Sequence, residues 1–366
     1  MKLETLLPLG KVDPGLRASE TPLDVAAVAD GARLLERIGY DSLITEETKD
    51  DPFVVMALAA QATGRLKLGT GVAIAFPRSP TVTALSAWTL QKLSKGRFTL
   101  GLGSQVRGHI VRRYGMQWSA PGPWMREYVQ AVRAVWRSWQ TGAPLAFEGE
   151  HYALNLMVPL FDPGPIDHPD IPVHLAAVKP VMSRVAGEVA DGLRPHPVCT
   201  PSYIRDVMLP AVREGAERSG RSLADFELCM KPLVASARTE AELAAKIRDA
   251  RARIAFYAST PAYADAFDHL GLRRLAEMAK ELSKRQDWEK LPALIPDDVL
   301  DAFAVIGTHD EIGEKLTARW ADTVTRIEFS IAVETEEDAE ALAALAGRIQ
   351  AGGEATARRT IVGAAG

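Results

Sequence analysis

Two apolar stretches that show no alternation between inward and outward positions are the clearest pattern along this chain. One reads LKLGTGVAIAFPRSP over residues 66–80, and the other reads GRFTLGLGSQVRGHI over residues 96–110. Strands that are apolar on both sides are typical of a parallel sheet covered by helices. Each stretch continues into glycine and polar residues, so we predict strands that end in loops able to approach a flat ligand closely.

Strand and helix patterns alternate along nearly the whole chain and define about eight βα units. The predicted strands are residues 3–9, residues 42–45, the runs from Leu66 and Arg97, and the segments IPVHLAAV, GLRPHP, FELCMKPLVAS, FAVIG and RIEFSIA. This number of units favours an α/β fold of the (β/α)8 TIM-barrel class. A doubly wound sheet is the alternative, although no strand–GxGxxG–helix pattern opens the chain.

The alternation is interrupted after the fourth βα unit. Residues 143–170 are rich in proline, glycine and aromatic residues, and their FEGEHYAL segment predicts a small hairpin. We therefore expect a single barrel domain over residues 1–350, with an ordered insertion at about 143–170 and extra helices at about 240–300. The tail, residues 351–366, is rich in small residues and is predicted to be mobile.

Composition and charge narrow the classes of function. The chain has 366 residues, a formal net charge of −4 and two cysteines. This charge offers no basic surface to nucleic acid or to an anionic membrane, and no apolar segment is long enough to span a bilayer. The few cysteines and a poor match to a signal peptide predict a cytoplasmic protein. The sequence contains no HExxH or CxxC motif, which argues against a metal site.

Polar residues that follow predicted strands are the candidates for chemistry, because barrel enzymes build their sites there. Glu46 and Glu47 follow the second strand, where one carboxylate could serve as an acid or base while the other is solvated. His109 and His196 follow the fourth and sixth strands and could exchange a proton near neutral pH. We predict Glu47, His109 and His196 as the catalytic residues. A histidine satisfied by backbone groups is the structural alternative, and Cys199 is predicted to be a small buried residue.

A second group of residues is predicted to bind a cofactor. Successive small residues at the end of the third strand can form a bulge that turns backbone groups toward a ligand. Pro180 predicts a helix start whose amide groups, at Met182 and Ser183, would face a phosphate beside Lys179. The predicted cofactor-binding residues are Glu46, Thr70, Gly71, Val72, Gly103, Ser104, His109, Ala176, Ala177, Val178, Lys179, Met182 and Ser183. The alternatives are glycines that relieve crowding inside the barrel and an ordinary helix start.

Several segments in the same order resemble the luciferase-like flavin and deazaflavin oxidoreductases, specifically their coenzyme F420-dependent branch. These segments are GYDSLITEE, DPFVVMALAAQATGRLKLGTGVAI, the Pro80 loop, LSKGRFTLGLGSQVRGH, MREYVQAVRAVW, FEGEHY, PVHLAAVKP and VADGL. The resemblance implies a (β/α)8 barrel with an insertion. It also implies a bulge at Gly71-Val72, often with a non-prolyl cis peptide behind the deazaflavin ring. Residues 176–183 match the loop on the phosphate side, and residues 196–200 match a loop near the cofactor or substrate.

The chain departs from the sugar-phosphate dehydrogenases of that family at several positions. Glu46 and Glu47 stand where those relatives have Asp-His, and His109 stands where they have an Asn near the cofactor. Val106 replaces their acidic residue, and Lys179 occupies a position where glycine is common. Oxidation of a sugar phosphate by the same acid–base pair is therefore not expected.

The resemblance implies an F420-dependent oxidoreductase that transfers a hydride between the deazaflavin and an organic substrate. Its expected partners are a small-molecule substrate and a second copy of the chain, because homodimers are common in that family. Neither nucleic acid nor a membrane is expected as a partner. The alternatives are an FMN-dependent monooxygenase and a non-catalytic deazaflavin-binding protein, the latter because Val106 stands where relatives have a general acid.

Overall fold

The computed structural model describes residues 1–11 and 22–354, with eight parallel barrel strands that alternate with helices. The barrel strands are β1 (Lys2–Thr5), β2 (Ser42–Thr45), β3 (Lys67–Thr70), β4 (Phe98–Gly103), β5 (Val173–Ala177), β6 (Gly192–Pro195), β7 (Glu227–Met230) and β8 (Arg326–Glu328). The α-helices are Val28–Ile38, Pro52–Ala62, Pro80–Ser94, Arg107–Arg112, Pro121–Thr141, Pro180–Val189, Pro201–Tyr203, Leu209–Ser219, Glu240–Ser259, Ala264–Asp268, Arg273–Lys284, Asp297–Phe303, Ile312–Trp320 and Glu336–Glu354, with a π-helical turn at Ile204–Met208. Short 3-10 helices lie at Val25–Ala27, Pro159–Phe161, Pro261–Tyr263, Trp288–Lys290 and Pro292–Leu294.

The chain divides into two compact units, and the first contains residues 1–23, 195–210 and 228–366. In this unit β8 lies between β1 and β7, and all three strands are parallel. Ile327 is the Cα partner of both Leu3 and Met230. Leu3, Met230 and Ile327 are fully buried, so apolar side chains fill this part of the barrel.

The second unit contains residues 24–194 and 211–227. Its strands pair in the order β2, β3, β4, β5 and β6, so that each strand lies beside the next one along the chain. This order of parallel strands, each followed by a helix, belongs to the (β/α)8 class, as predicted. A short strand, Ala73–Ile74, adds to the end of β4.

The insertion after β4 forms the predicted hairpin. Phe147–Glu148 pairs with Ala153–Leu154 in antiparallel fashion. The carboxylate of Glu127, on the helix Pro121–Thr141, accepts hydrogen bonds from the amides of His151 and Tyr152, each at 2.7 Å. Because a charged acceptor holds both amides, the hairpin is fixed to the helix.

The segment FELCMKPLVAS differs from the prediction. It is not one strand, because β7 ends at Met230 and a separate strand, Leu233–Ala237, follows it. Pro232 lies between them and has no N–H to continue a sheet ladder, which explains the interruption. Leu233–Ala237 pairs in parallel with Ala304–Thr308, the predicted FAVIG strand, in a sheet of two strands apart from the barrel strands.

The expected helices between residues 240 and 300 are present, and the first of them ends at Ser259, before Pro261. The predicted mobile tail is helical over residues 351–354, and the rest of it lies outside the described residues. Within the described part of the chain, no helix combines the length and apolar character needed to cross a membrane.

Asp191, directly before β6, connects several elements of the second unit. Asp191 accepts hydrogen bonds from Arg133 at 2.7 Å, from Arg221 at 2.8 Å and from the amide of Val173 at 2.8 Å. Burial works to raise the pKa of Asp191, but the two arginines and the amide outweigh burial and leave that pKa lowered. Since the folded pKa lies below the unfolded one, this stabilisation is present above the unfolded pKa and is lost as the pH falls through the folded pKa.

We therefore expect Asp191→Asn to lower the stability of the protein by about 1–2 kcal/mol near neutral pH. The loss should shrink as the pH falls below about 4, the unfolded pKa of an aspartate, and on through the lowered pKa of the native carboxyl. Thermal unfolding followed at neutral and acidic pH checks this expectation. Asp225→Asn is the matched control, because Asp225 is exposed. An equal loss for Asp191→Asn at both pH values would contradict the electrostatic explanation.

Candidate cofactor-binding site

The carboxyl ends of β2, β3 and β4 are joined by backbone hydrogen bonds just beyond the strands. The amide of Gly71 donates to the carbonyl of Thr45 at 2.8 Å, and the amide of Glu47 donates to the carbonyl of Val72 at 3.2 Å. The amide of Ala75 donates to the carbonyl of Gly103 at 2.9 Å. The peptide bond between Gly71 and Val72 is cis, as the family resemblance implies. These bonds place three of the predicted cofactor-binding residues on neighbouring strand ends.

Small residues bring three strand ends into close contact. A Cβ atom added at Gly103 would lie 2.6 Å from Cγ2 of Val72 and 3.8 Å from Cβ of Ala176. A Cβ added at Gly71 would lie 2.6 Å from Cδ1 of Ile44. Ordinary carbon atoms do not approach this closely, so a side chain at either position would force the methyl group of Val72 or Ile44 to shift. Val72, Gly103 and Ala176 therefore form one small apolar surface, to which we refer as the strand-end surface.

The side chain of Thr70 joins β3 to β4. Its hydroxyl donates to the carbonyl of Gly101 at 2.6 Å and accepts from the amide of Gly101 at 2.9 Å. Thr70 is fully buried. Both hydrogen-bonding functions of this hydroxyl are thus used between β3 and β4, and a direct contact of Thr70 with a cofactor remains a prediction.

Glu47 lies in an ion pair that was not predicted from the sequence. Its Oε2 atom accepts a hydrogen bond from Arg78 at 2.6 Å and from the amide of Ile74 at 2.7 Å. Arg78 also donates to the carbonyl of Ile74 at 3.1 Å and to Asp51 at 3.3 Å. Burial works to lower the pKa of Arg78, but Glu47 and Asp51 outweigh burial and leave that pKa raised. The pair therefore fixes the segment between β3 and the helix Pro80–Ser94.

Tyr114 lies close enough to this ion pair to be influenced by the charge of Glu47. Burial raises the pKa of Tyr114, and the negative charge of Glu47 raises it further. Arg113, the preceding residue, donates to the carbonyl of Thr48 at 3.3 Å. The chain after β4 thereby contacts the loop after β2, which contains two of the predicted site residues.

The loop after β5 has the small residues and the helix start that were predicted, with one correction. The helix Pro180–Val189 begins after Lys179, which is exposed, whereas Ala177 is buried. The amide of Ser183 is not available to a phosphate, because it donates to the carbonyl of Lys179 at 3.2 Å, and the Ser183 hydroxyl donates to the same carbonyl at 3.1 Å. The amides of Val181 and Met182 come before this first intrahelical hydrogen bond, so neither has an acceptor within the helix.

Other predicted residues lie near strand ends without a defined role. His109 is exposed on the short helix Arg107–Arg112. Ser104 directly follows β4 and is partly exposed, and Glu46 and Val178 are partly exposed in the loops after β2 and β5. The structure therefore leaves all four accessible, and their roles remain predictions.

His196 belongs to the first unit, where it follows β6. Its ring stacks on Tyr263 with the ring centres 4.1 Å apart and contacts Tyr257 edge-on at 4.9 Å. Its Nδ1 atom accepts a hydrogen bond from the amide of Val198 at 3.3 Å. Burial raises the pKa of the Cys199 thiol to about 12, so Cys199 is a buried thiol and not a nucleophile, as predicted.

Arg194 is a residue that the sequence analysis missed. It lies in β6, and a Cβ added at Gly71 would be 3.4 Å from one of its guanidinium nitrogens. A Cβ added at Gly101 would be 3.5 Å from its Nε atom. An arginine inside an otherwise apolar strand, as in GLRP, is the signal that could have identified it, because charged side chains are rarely placed in a barrel interior without a reason.

Comparisons with known proteins identify the family of this chain. The family model described as luciferase-like monooxygenase matches residues 5–326. An uncharacterized protein of Mycobacterium tuberculosis is 44% identical over 306 residues, which cover 84% of this chain and 90% of that protein. A putative coenzyme F420-dependent oxidoreductase of the same organism is 28% identical over 333 residues, which cover 85% of this chain and 90% of that protein.

Two solved structures show the same fold. The coenzyme F420-dependent tetrahydromethanopterin reductase from Methanopyrus kandleri has a TM-score of 0.71 at 21% identity, covering 93% of this chain and 97% of that one. The EDTA monooxygenase from Chelativorans has a TM-score of 0.71 at 16% identity, covering 99% of this chain and 96% of that one. At these identities the likeness concerns the fold, and it agrees with the (β/α)8 class.

Proposed function

Because the chain belongs to the luciferase-like monooxygenase family, we propose that it is an oxidoreductase that uses coenzyme F420. It would transfer a hydride between this deazaflavin and an organic substrate. The relative that is 28% identical and is named a putative coenzyme F420-dependent oxidoreductase supports this choice of cofactor. Members of the family are oxidoreductases or monooxygenases. The proposal specifies which cofactor this chain uses and which of these two kinds of reaction it performs.

The strand-end surface is the observation that carries the proposal. Val72, Gly103 and Ala176 meet without any bulky side chain between them, which suits the face of a planar ring. The exposed Lys179 and the amides at the start of the helix Pro180–Val189 suit the phosphate of the same cofactor. The residues present therefore fit a deazaflavin cofactor that carries a phosphate group. When bound, that cofactor supplies the ring carbon that gives or takes the hydride.

The protein would contribute position and proton handling. We propose that Glu47, His109 and His196 are the residues that hold or move a proton, and that the substrate is a small organic molecule. The ion pair of Glu47 with Arg78 supports a positioning role for Glu47 in addition. We also propose that the protein acts in the cytoplasm and forms a homodimer, as is common in the family.

Titration of the purified protein with F420 and with FMN tests the proposed cofactor. We expect micromolar or tighter binding of F420 and much weaker binding of FMN. The quenching of cofactor fluorescence measures both affinities. Gly103→Ala should weaken F420 binding at least about tenfold, since its Cβ would displace Val72 from the strand-end surface. Gly64→Ala is the matched control, because a Cβ at Gly64 has no neighbour within 4 Å.

The outcomes of this titration separate the candidate functions. Tight binding of FMN with no binding of F420 would contradict the proposal and favour a flavin monooxygenase, in keeping with the description of the family. Tight binding of F420 without any substrate-dependent bleaching of its absorbance, across a broad panel of substrates, would favour a non-catalytic binder. Val106, which stands where relatives have a general acid, is the feature that supports this last candidate.

A further inference from the structure

A cavity of about 680 Å³ lies within the first unit, and nothing in the proposed cofactor site accounts for it. Its wall includes Thr5 at the end of β1, Lys231 just after β7 and Ser330 just after β8. Further parts of the wall come from the strand Leu233–Ala237, the helix Glu240–Ser259 and residues 328–338. The cavity therefore opens at the carboxyl ends of barrel strands, where enzymes of this fold bind their substrates.

Arg253 is the unusual residue in this wall. Only 5% of its surface is exposed, and its Nε atom is shielded from solvent without a hydrogen-bond partner. Among the residues that the structure describes, no side chain or backbone group makes a hydrogen bond or an ion pair with its guanidinium. A cation that is buried without a counter-charge is costly, so a bound anion beside Arg253 would stabilise the protein.

The carboxylates around the cavity do not supply the missing charge. Glu328 lies 3.7 Å from Lys231, and Asp338 pairs with Arg238. The remaining acidic residues of the wall are exposed to solvent; they are Glu242, Glu334 and Glu337. The counter-charge for Arg253 is therefore expected to come from a ligand.

Two further donors line the same cavity. The hydroxyl of Ser236 is shielded from solvent and has no hydrogen-bond partner among the described residues. Lys246 is exposed and lies seven residues before Arg253 on the same helix, which places both on one helical face. A guanidinium, a hydroxyl and an ammonium group suit an oxyanion, because each can donate hydrogen bonds to it and two of them carry a positive charge.

We propose that this cavity binds an anionic organic substrate through its carboxylate or phosphate group, with Arg253 as the principal ligand. The planar guanidinium can bind either group through two parallel hydrogen bonds. This proposal rests on the proposed function in one respect, since it names the substrate class of the oxidoreductase. The binding of the anion itself does not depend on F420.

Thermal unfolding of the whole protein with added anions tests this proposal. Inorganic phosphate and succinate should each be compared with sodium chloride at equal ionic strength, and at least one of them should raise the Tm of the wild type. A response to phosphate alone assigns the site to phosphate esters, and a response to succinate alone assigns it to carboxylates. The absence of any specific rise with either anion would overturn the proposal.

Arg253→Met should abolish this response and lower the affinity for the effective anion at least tenfold. Without added anion, Arg253→Met should unfold at the same temperature as the wild type or higher, because the substitution removes an unpaired buried charge. Arg248→Met, on the exposed side of the same helix, is the matched control and should respond like the wild type. An anion response that Arg253→Met retains in full would contradict the assignment of Arg253.

The same variants distinguish a failure of this inference from a failure of the proposed function. F420 should bind Arg253→Met as tightly as it binds the wild type, because all the residues assigned to the cofactor lie outside the cavity wall. An anion response in a protein that does not bind F420 would leave the cavity assigned and overturn the cofactor. Binding of F420 without any anion response would support the cofactor and overturn the assignment of the cavity.

Discussion

Replacing Gly101 by alanine is expected to lower the stability of the protein by about 3 kcal/mol or more and to abolish F420 binding with it. A Cβ at position 101 would collide with the carbonyl oxygen of Thr70, which belongs to the backbone of the neighbouring strand and cannot move aside as a flexible side chain can. The Thr70 hydroxyl also holds both the amide and the carbonyl of Gly101. The collision therefore separates β3 from β4 directly beneath the strand-end surface.

Soluble yield and thermal unfolding measure this effect, and Gly64→Ala again provides the control with an unobstructed Cβ. Thr70→Val adds a useful comparison, because it removes the hydroxyl but keeps the backbone arrangement. We expect Thr70→Val to lower the stability by about 1–3 kcal/mol, less than Gly101→Ala. The reason is that the amide and the carbonyl of Gly101 both lose their hydrogen bond to this hydroxyl. A Gly101→Ala protein that unfolds at the wild-type temperature would show that the two strands separate more easily than this packing implies.

The fold class and the position of the candidate site follow from local sequence patterns. The runs from Leu66 and Arg97 are apolar on both faces, which is the property that distinguishes a covered parallel strand. Glycines at their ends show where strands approach each other or a ligand. The structure has β3 and β4 in these runs, with Gly71 directly after β3 and Gly103 at the end of β4. These features depend on residues close together in the sequence, and for that reason they could be predicted.

The partners of charged side chains could not be predicted in the same way. Arg78 and Glu47 are far apart in sequence, and their ion pair depends on the positions of β2 and of the segment after β3. The buried guanidinium of Arg253 lies in a helical pattern that could equally have been exposed to solvent. Long charged side chains reach several ångströms from the backbone, so the fold decides what they meet.

Backbone details at element ends were also beyond the sequence patterns. The helix after β5 begins at Pro180 as expected, yet its first hydrogen bond engages the amide of Ser183, which had been expected to face a phosphate. Helix ends vary by one or two residues in ways that propensity does not determine. The interruption at Pro232 was visible in the sequence, but the new pairing of Leu233–Ala237 with Ala304–Thr308 depends on a strand some 70 residues later.

Replacing Glu47 by glutamine is expected to weaken F420 binding about tenfold, and Arg78→Met should weaken it by a similar factor. The side chains of Glu47 and Arg78 are 11% and 19% exposed, and their closest atoms are 2.6 Å apart. Glutamine keeps an acceptor for the amide of Ile74 but loses the charge that holds Arg78. A hydrogen bond between charged groups contributes about 1.5–3 kcal/mol, so its loss should loosen the segment after β3 that carries the strand-end surface.

Titration with F420 on both variants, with Asp50→Asn as the control in the same loop, separates two interpretations of Glu47. If Glu47 positions the strand-end surface, both variants lose affinity, and the double variant loses little more than either one, because the two residues act through one interaction. The sequence predicts Glu47 as a proton-handling residue. If that is its sole role, Glu47→Gln should bind F420 with the wild-type affinity, and Arg78→Met should not reproduce its defect in turnover. Equal affinities for the wild type and Glu47→Gln would therefore contradict the positioning role, whatever the rate of hydride transfer.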